Sequence, residues 1–299
     1  YYPQWVQGSF TPDKIDYTVI THVSHSFAWP DEEGNILHYD NMLSQSVSNM
    51  VHDNGAKILL CLGGWGQSWG FSASMSTPEL REIFIDNIIS ICETYNYDGV
   101  DIDWEQPANA TEKNNLTTFI TELRQAFDDL YPDWIISMAV PVSNWSGQYY
   151  DFNQLKQSVD FFNAMTYDIH GAWTDHAGHN SPLYRSPPGD PDGSVNTGVN
   201  YLVNTRGIES QKVNVGIPFY GKEYNASDIN QAFTGDVVSR LYNEYHGLIN
   251  NGWNYIWDSN GQVPYLQNTS QNKIITIDDS LSVSIKSGYA ISNNLGGLM

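Results

Sequence analysis

Short apolar runs of strand length alternate with helix-length segments from one end of this chain to the other, and that alternation restricts the fold more than any other feature. It is the pattern of repeated βα units, whose strands pair in parallel beneath covering helices. The runs predict strands at Tyr1–Trp5, His22–Phe27, Lys57–Leu62, Gly99–Asp103, Ile135–Val140, Phe161–Met165, Lys212–Ile217 and Gly297–Met299. Eight such strands close a barrel, so the expected fold is an α/β protein of the (β/α)8 TIM-barrel type. At 299 residues the length suits a single barrel domain covering 1–299.

Two helices read clearly. Thr77 to Tyr95 has Thr77 as N-cap, Pro78 at the first helical position and Leu80, Phe84, Ile88 and Ile91 on one face. Thr111 to Leu130 repeats the pattern with Leu116, Phe119, Leu123 and Phe127. Both stripes are expected to cover the outside of the barrel. Asp175–Asn200, rich in Gly, Pro and Asn, reads as a long loop walling the barrel mouth. The span from about 222 to 294, between the seventh and eighth strands, reads as a small α+β insertion. In it, Asp236–Ile249 is compatible with a helix and Val263–Leu266 with a short strand.

Composition removes several functions. With 34 acidic against 13 basic residues the formal net charge is −21, which repels nucleic-acid phosphates and anionic membrane surfaces alike. Neither nucleic acid nor membrane is an expected partner, no apolar run reaches spanning length, and a monomer is expected. The charge fits a neutral or cationic substrate. Aromatic residues make up 13% of the chain, an excess that suits a groove stacking flat rings such as sugars. Cys61 and Cys92 fall in a strand and a helix, so they read as buried free thiols. The eight His residues show no metal-ligand spacing, so no metal and no cofactor is expected.

One strand carries the chemistry. In Asp98-Gly-Val-Asp101-Ile-Asp103-Trp-Glu105 three acids alternate with Ile102 and Trp104. On a strand Asp101, Asp103 and Glu105 then share one face at roughly 6.6 Å steps, with Val100, Ile102 and Trp104 on the other. In a barrel both faces are enclosed, so a row of carboxylates is costly and marks a functional site. Glu105 lies at the C-terminal end of the strand, where barrel enzymes keep their active sites. The charges of Asp101 and Asp103 disfavour its ionisation and keep it available as a proton donor. Asp98 has the opposite parity and reads as structural.

This row resembles the signature of the family-18 glycoside hydrolases, the chitinase family. Lys57-Ile-Leu-Leu-Cys61-Leu-Gly63-Gly64-Trp65 resembles that family's third-strand motif, and Met138-Ala-Val-Pro141 its fifth. Met165-Thr-Tyr167-Asp168 resembles the sixth, Gly216-Ile-Pro-Phe-Tyr220-Gly221 the seventh and Gly296-Gly-Leu-Met299 the start of the eighth. The similarity runs the whole length of the chain in the family's order.

The resemblance implies hydrolysis of β-1,4-linked N-acetylglucosamine by a retaining, substrate-assisted mechanism. Glu105 would protonate the leaving oxygen while the substrate's own 2-acetamido oxygen attacks the anomeric carbon, giving an oxazolinium ion. Asp103 would orient the acetamido N–H, Asp101 would share a hydrogen bond with Asp103, and Tyr167 would hold the acetamido group. Asp168 would contact the sugar at the cleavage site. Tyr1, Phe27, Trp65, Met165 and Tyr220 match barrel-mouth positions, Trp5 an outer stacking position and Trp173 the leaving-group side. Trp65 and Trp173 sit in Gly-containing turns after strands, which favours them as platforms. Cys61 stands where the family commonly has Ser, and Lys222 where it often has Arg; a lysine cannot make the bidentate fork that an arginine would bring to a sugar or carboxylate there.

The implied substrate is chitin or chitooligosaccharides. The same mechanism fits an endo-β-N-acetylglucosaminidase or a peptidoglycan-directed relative, and a different class, a chitin-binding lectin, fits the barrel without the chemistry. The resemblance also implies an extracellular protein whose signal peptide lies outside this sequence. Both terminal strands are shorter than in the family, so the native protein is expected to extend further.

Overall fold

A computed structural model describes residues Tyr1–Met299 and divides them into two compact units, Tyr1–Val140 with Asn144–Phe162, and Pro141–Ser143 with Asn163–Met299.

The first unit holds β1 (Tyr2–Pro3), β2 (His22–Pro30), β3 (Ile36–His38), β4 (Lys57–Gly63), β5 (Gly99–Asp103) and β6 (Ile135–Val140). β1, β2, β4, β5 and β6 are neighbours in that order and all parallel, while β3 folds back antiparallel on β2. All five residues of β5 are buried, as a strand covered on both faces requires. The predicted first strand is shorter than expected, because Pro3 has no N–H to extend the ladder and Gln4–Val6 turns into a 3-10 helix that takes Trp5 with it.

Helix Pro78–Tyr95 starts where the cap predicts: the Thr77 hydroxyl accepts from Leu80 N–H (3.3 Å), a contact worth about 1 kcal/mol. Helix Ala110–Leu130 begins one residue earlier than read, because Asn109 accepts from Glu112 N–H. Each buries its apolar stripe, and the two meet through Phe84 and Phe119, stacked at 4.9 Å. Asp98 is structural, as its parity implied. Its Oδ2 accepts from Ile58 N–H (2.8 Å) and from His52 Nε2 (2.7 Å), tying the entry of β5 to β4.

At the boundary lies β7 (Phe161–Ala164). The second unit contains β8 (Val213–Val215), β9 (Tyr220–Asn225), β10 (Thr234–Leu241), β11 (Asn254–Asp258), β12 (Val263–Asn268), β13 (Lys273–Thr276) and β14 (Gly297–Leu298). β8 and β14 pair in parallel. β10-β9-β13-β12-β11 form a separate antiparallel sheet in which Tyr224, Tyr265 and Ile274 pack on one core and Trp253, Leu266 and Ile275 on another. The helix read at Asp236–Ile249 is instead β10 followed by a single turn, Tyr242–Tyr245. Ladder bonds from β9 decide the matter, since a segment this polar has no apolar stripe to hold a helix. Val263–Leu266 is a strand as read. The Asp175–Asn200 loop closes with a helical turn, Val195–Asn200, started by a Ser194–Thr197 capping box. Lys286, fully buried on helix Ser280–Ser292, is paired with Asp278 (2.7 Å) and hydrogen-bonded to Ser181 (2.9 Å).

Candidate active site

In the first unit parallel pairing sets one cross-strand row: Cys61 of β4 lies beside Asp101 of β5, and Asp101 beside Ser137 of β6. Their side chains meet. Asp101 accepts from the Ser137 hydroxyl, from Cys61 Sγ (3.2 Å) and from the Tyr1 hydroxyl (2.7 Å). Three donors suit a carboxylate acceptor. Burial and the charges of Asp101 and Asp103 push the Cys61 thiol well above its ordinary pKa, so it stays a donor and replaces the serine hydroxyl at this position.

One row further along β5, Asp103 pairs with Gly63 of β4. Its carboxyl is buried, and Oδ1 has no hydrogen-bond partner. Burial first, then the charges of Glu105 and Asp101, hold its pKa well above the usual carboxylate range. Asp103 is thus an acid whose ionisation the row itself disfavours. β5 ends at Asp103, and Glu105 stands two residues beyond it, half-buried, its N–H donating to the Ser68 hydroxyl (2.9 Å). Trp104 between them turns the other way and stacks on Phe71 at 5.5 Å, so the alternation of faces persists past the strand. Tyr150 donates to Trp104 carbonyl oxygen (2.8 Å), and its hydroxyl is held well above its ordinary pKa by burial and by the charges of Asp103 and Glu105.

Aromatic side chains line this half. Trp5 stacks on Phe27 at 6.0 Å, Tyr1 lies 6.4 Å from the same ring, and the backbone of Gly64 rests against its edge. Trp5 is 63% exposed and Trp65 85%, so both rings are free to meet a ligand face on.

In the second unit Met165 and Tyr167 follow β7 directly, and Asp168 sits in the left-handed backbone region with φ 55°. Asp168 is tightly placed. Oδ2 accepts from the Tyr220 hydroxyl (2.8 Å), Oδ1 pairs with Lys222 Nζ (2.7 Å), and its N–H donates to Asn180 Oδ1 (3.0 Å). Asn180 in turn donates to the Tyr220 carbonyl (3.0 Å). Lys222, without a bidentate fork, still makes a carboxylate contact: one ammonium reaches Asp168 as a point charge, supported by the rings of Tyr220 (5.1 Å) and Trp173 (5.8 Å). Burial and Asp168 raise the pKa of the Tyr220 phenol. The Tyr167 ring packs edge-on to Tyr220 at 6.1 Å, and its hydroxyl lies 4.0 Å from Met299 Sδ. Trp173 is 65% exposed.

The profile of glycosyl hydrolases family 18 matches residues 1–299. The chain belongs to glycosyl hydrolase family 18. It is 31% identical to a probable endochitinase of Caenorhabditis elegans over 99% of this chain and 54% of that protein. It therefore spans about half the length of that relative. Chitinase A1 of Niallia circulans is 29% identical over 87% of this chain and 41% of its own length. Among solved structures, the Ostrinia furnacalis Group IV chitinase in complex with allosamidin superposes with a TM-score of 0.92 at 29% identity, covering 100% of this chain and 90% of that one. An immunomodulatory active chitinase from Trichuris suis gives a TM-score of 0.92 at 25% identity, over 100% and 89%. These likenesses show the (β/α)8 fold that the strand and helix pattern predicts.

Sequence reasoning found the acids but not their support. Ser68, Ser137 and Tyr150 carry no local signature, because each reaches the row only through tertiary packing. Trp69 and Phe219, exposed and close in sequence to Trp65 and Tyr220, were likewise passed over. The one group of side chains able to hold a metal ion, His170, His176, Asp190 and Asp192, lies in the loop after β7.

Proposed function

We propose that this chain hydrolyses β-1,4 linkages between N-acetylglucosamine units of chitin and chitooligosaccharides, retaining configuration through an oxazolinium ion. One observation carries the reading: Asp103 is buried beside Asp101 and Glu105, which with that burial raise its pKa above the usual carboxylate range, and its Oδ1 has no partner. An acceptor with an unmatched oxygen is what an acetamido N–H needs. Asp101, which accepts from three donors, offsets positive charge as it develops.

Glu105 protonates the leaving oxygen, then, deprotonated, activates water against the ion. By their places in the family's motifs, Tyr167 holds the acetamido group and Asp168 contacts the sugar. The Asp168 ion pair with Lys222 and its bond from Tyr220 fix the carboxylate for that contact. Tyr1, Trp5, Phe27, Trp65, Met165, Trp173 and Tyr220 provide the binding surface, with the exposed tryptophans as stacking platforms. The acetyl group is part of the catalyst, so a polymer lacking it does not react. An insoluble extracellular polymer as substrate places the protein outside the cell.

Glu105→Gln keeps the shape and removes the proton. We expect release of chitooligosaccharides from colloidal chitin to fall by at least about 10²-fold, while binding of allosamidin, the ligand of the Ostrinia furnacalis relative, persists. Undiminished turnover would overturn the assignment, and binding of chitin without any turnover in the unaltered protein would favour a lectin.

A further inference from the structure

The loop after β7 gathers four side chains that no sequence spacing connects. His170, His176, Asp190 and Asp192 each point one ligating atom inward, and all four atoms lie within 4.8 Å of one another. His170 Nε2 stands 3.1 Å from Asp190 Oδ2 and 3.5 Å from Asp192 Oδ2. His176 Nε2 stands 3.4 Å and 3.9 Å from the same two oxygens. A tetrahedron with zinc bonds of about 2.0 Å has edges of about 3.3 Å, and the four His–Asp separations lie close to that length.

The outer nitrogens decide the matter further. His170 Nδ1 lies 2.8 Å from the carbonyl oxygen of His179, and His176 Nδ1 lies 2.8 Å from Asp175 Oδ1. A carbonyl and a carboxylate only accept, so both Nδ1 atoms carry a proton, and Nε2 is the nitrogen each ring turns toward the two carboxylates, where a bound ion would displace any proton shared with them. Imidazoles whose second nitrogen is anchored by a carbonyl or a carboxylate are the usual outer support of a zinc-bound histidine. The Asp190 carboxylate is anchored too, since its Oδ1 accepts from Asp192 N–H (2.8 Å). The His170 and Asp190 side chains are each only 1% exposed, and the His170 ring packs so close to Gly178 that a Cβ there would lie 2.2 Å from it, so only glycine leaves room for the ring.

We propose that these four residues form a structural zinc site. Two imidazoles and two carboxylates suit Zn²⁺ and exclude Ca²⁺, which takes oxygen ligands. Four protein ligands leave no open position for water, so the ion staples the loop and does no chemistry. His170 lies two residues from Asp168 and three from Trp173, so the staple holds the segment that presents both. The proposal stands or falls independently of the hydrolytic reading.

The test reads metal content and thermal midpoint. Protein purified without chelators or metal-affinity resin, equilibrated with Zn²⁺ and dialysed, is expected to retain about one zinc per chain by mass spectrometry of the elements. Stripping with dipicolinate lowers the midpoint, and Zn²⁺, but neither Ca²⁺ nor Mg²⁺, restores it. His176→Gln and Asp192→Asn alter the more exposed ligands, fold without the ion, and are expected to lose at least about tenfold in zinc affinity together with the zinc-dependent shift. If the unaltered protein retains no zinc, the group is a histidine–aspartate hydrogen-bond network only. If both variants keep the zinc and the shift, the ion sits elsewhere; either result overturns the proposal.

Discussion

His25 and Asp103 are both buried in parallel strands, and burial drives their protonation in opposite senses. Gln7 Nε2 donates to His25 Nε2 (2.5 Å), so Nδ1 carries the proton and lies against the Tyr97 hydroxyl (2.7 Å). Burial lowers the pKa of His25 to about 4 from 6.5. The unfolded chain therefore binds a proton that the folded one refuses. Stability is full above about 6.5 and falls as pH drops toward 4, by roughly 3 kcal/mol from this group. His25→Gln is expected to flatten the acid limb of a urea-midpoint profile across that window. Asp103 acts the other way. Its raised pKa means the folded state holds the proton more tightly, so its favourable contribution is complete below the ordinary carboxylate pKa and is lost as pH rises through the folded value. Asp103→Asn, which cannot ionise, is expected to remove that decline and leave stability less dependent on pH above about 4, measured by the same profile. The variant also cannot become a carboxylate beside the acetamido group as positive charge develops, so turnover falls while stability does not.

At the scale of elements, the acid row depends on how closely β4 and β5 approach at their C-terminal ends. Gly63 has φ 113°, in the region that favours glycine, and an added Cβ would lie 2.0 Å from the Asp103 carbonyl oxygen. Backbone stands on the other side of that contact, so nothing flexible can give. Gly63→Ala is expected to destabilise the protein by about 2 kcal/mol or more and to reduce turnover further by displacing Asp103. Thermal unfolding and chitooligosaccharide release check the two effects separately. The elements themselves were largely legible. Thr77, Pro78 and the stripe Phe84–Ile88 announce their helix because cap chemistry and apolar spacing are local properties. β10 was misread for the converse reason: Thr234–Leu241 has no strong period of its own, and its ladder with β9 supplies the preference.

For the whole molecule, a formal net charge of −21 is a field rather than a site. Such a field accelerates encounter with cations and is screened over a Debye length of about 10 Å at 0.1 M salt. Cleavage of a partly deacetylated, positively charged chitin is expected to slow as NaCl rises from about 0.01 to 1 M, while cleavage of neutral chitohexaose stays level; equal salt dependence in initial-rate assays would remove steering from the account. What the sequence determined by itself is whatever depends on near neighbours: the βα alternation, the caps, the one-face row Asp101, Asp103, Glu105 and the motifs that announce the family. Only tertiary structure decided that Asp103 is buried and its ionisation disfavoured, that Lys222 reaches Asp168, and that His170, His176, Asp190 and Asp192 converge. Those outcomes follow from burial and from distances between atoms far apart along the chain, and a pattern of neighbouring residues encodes neither.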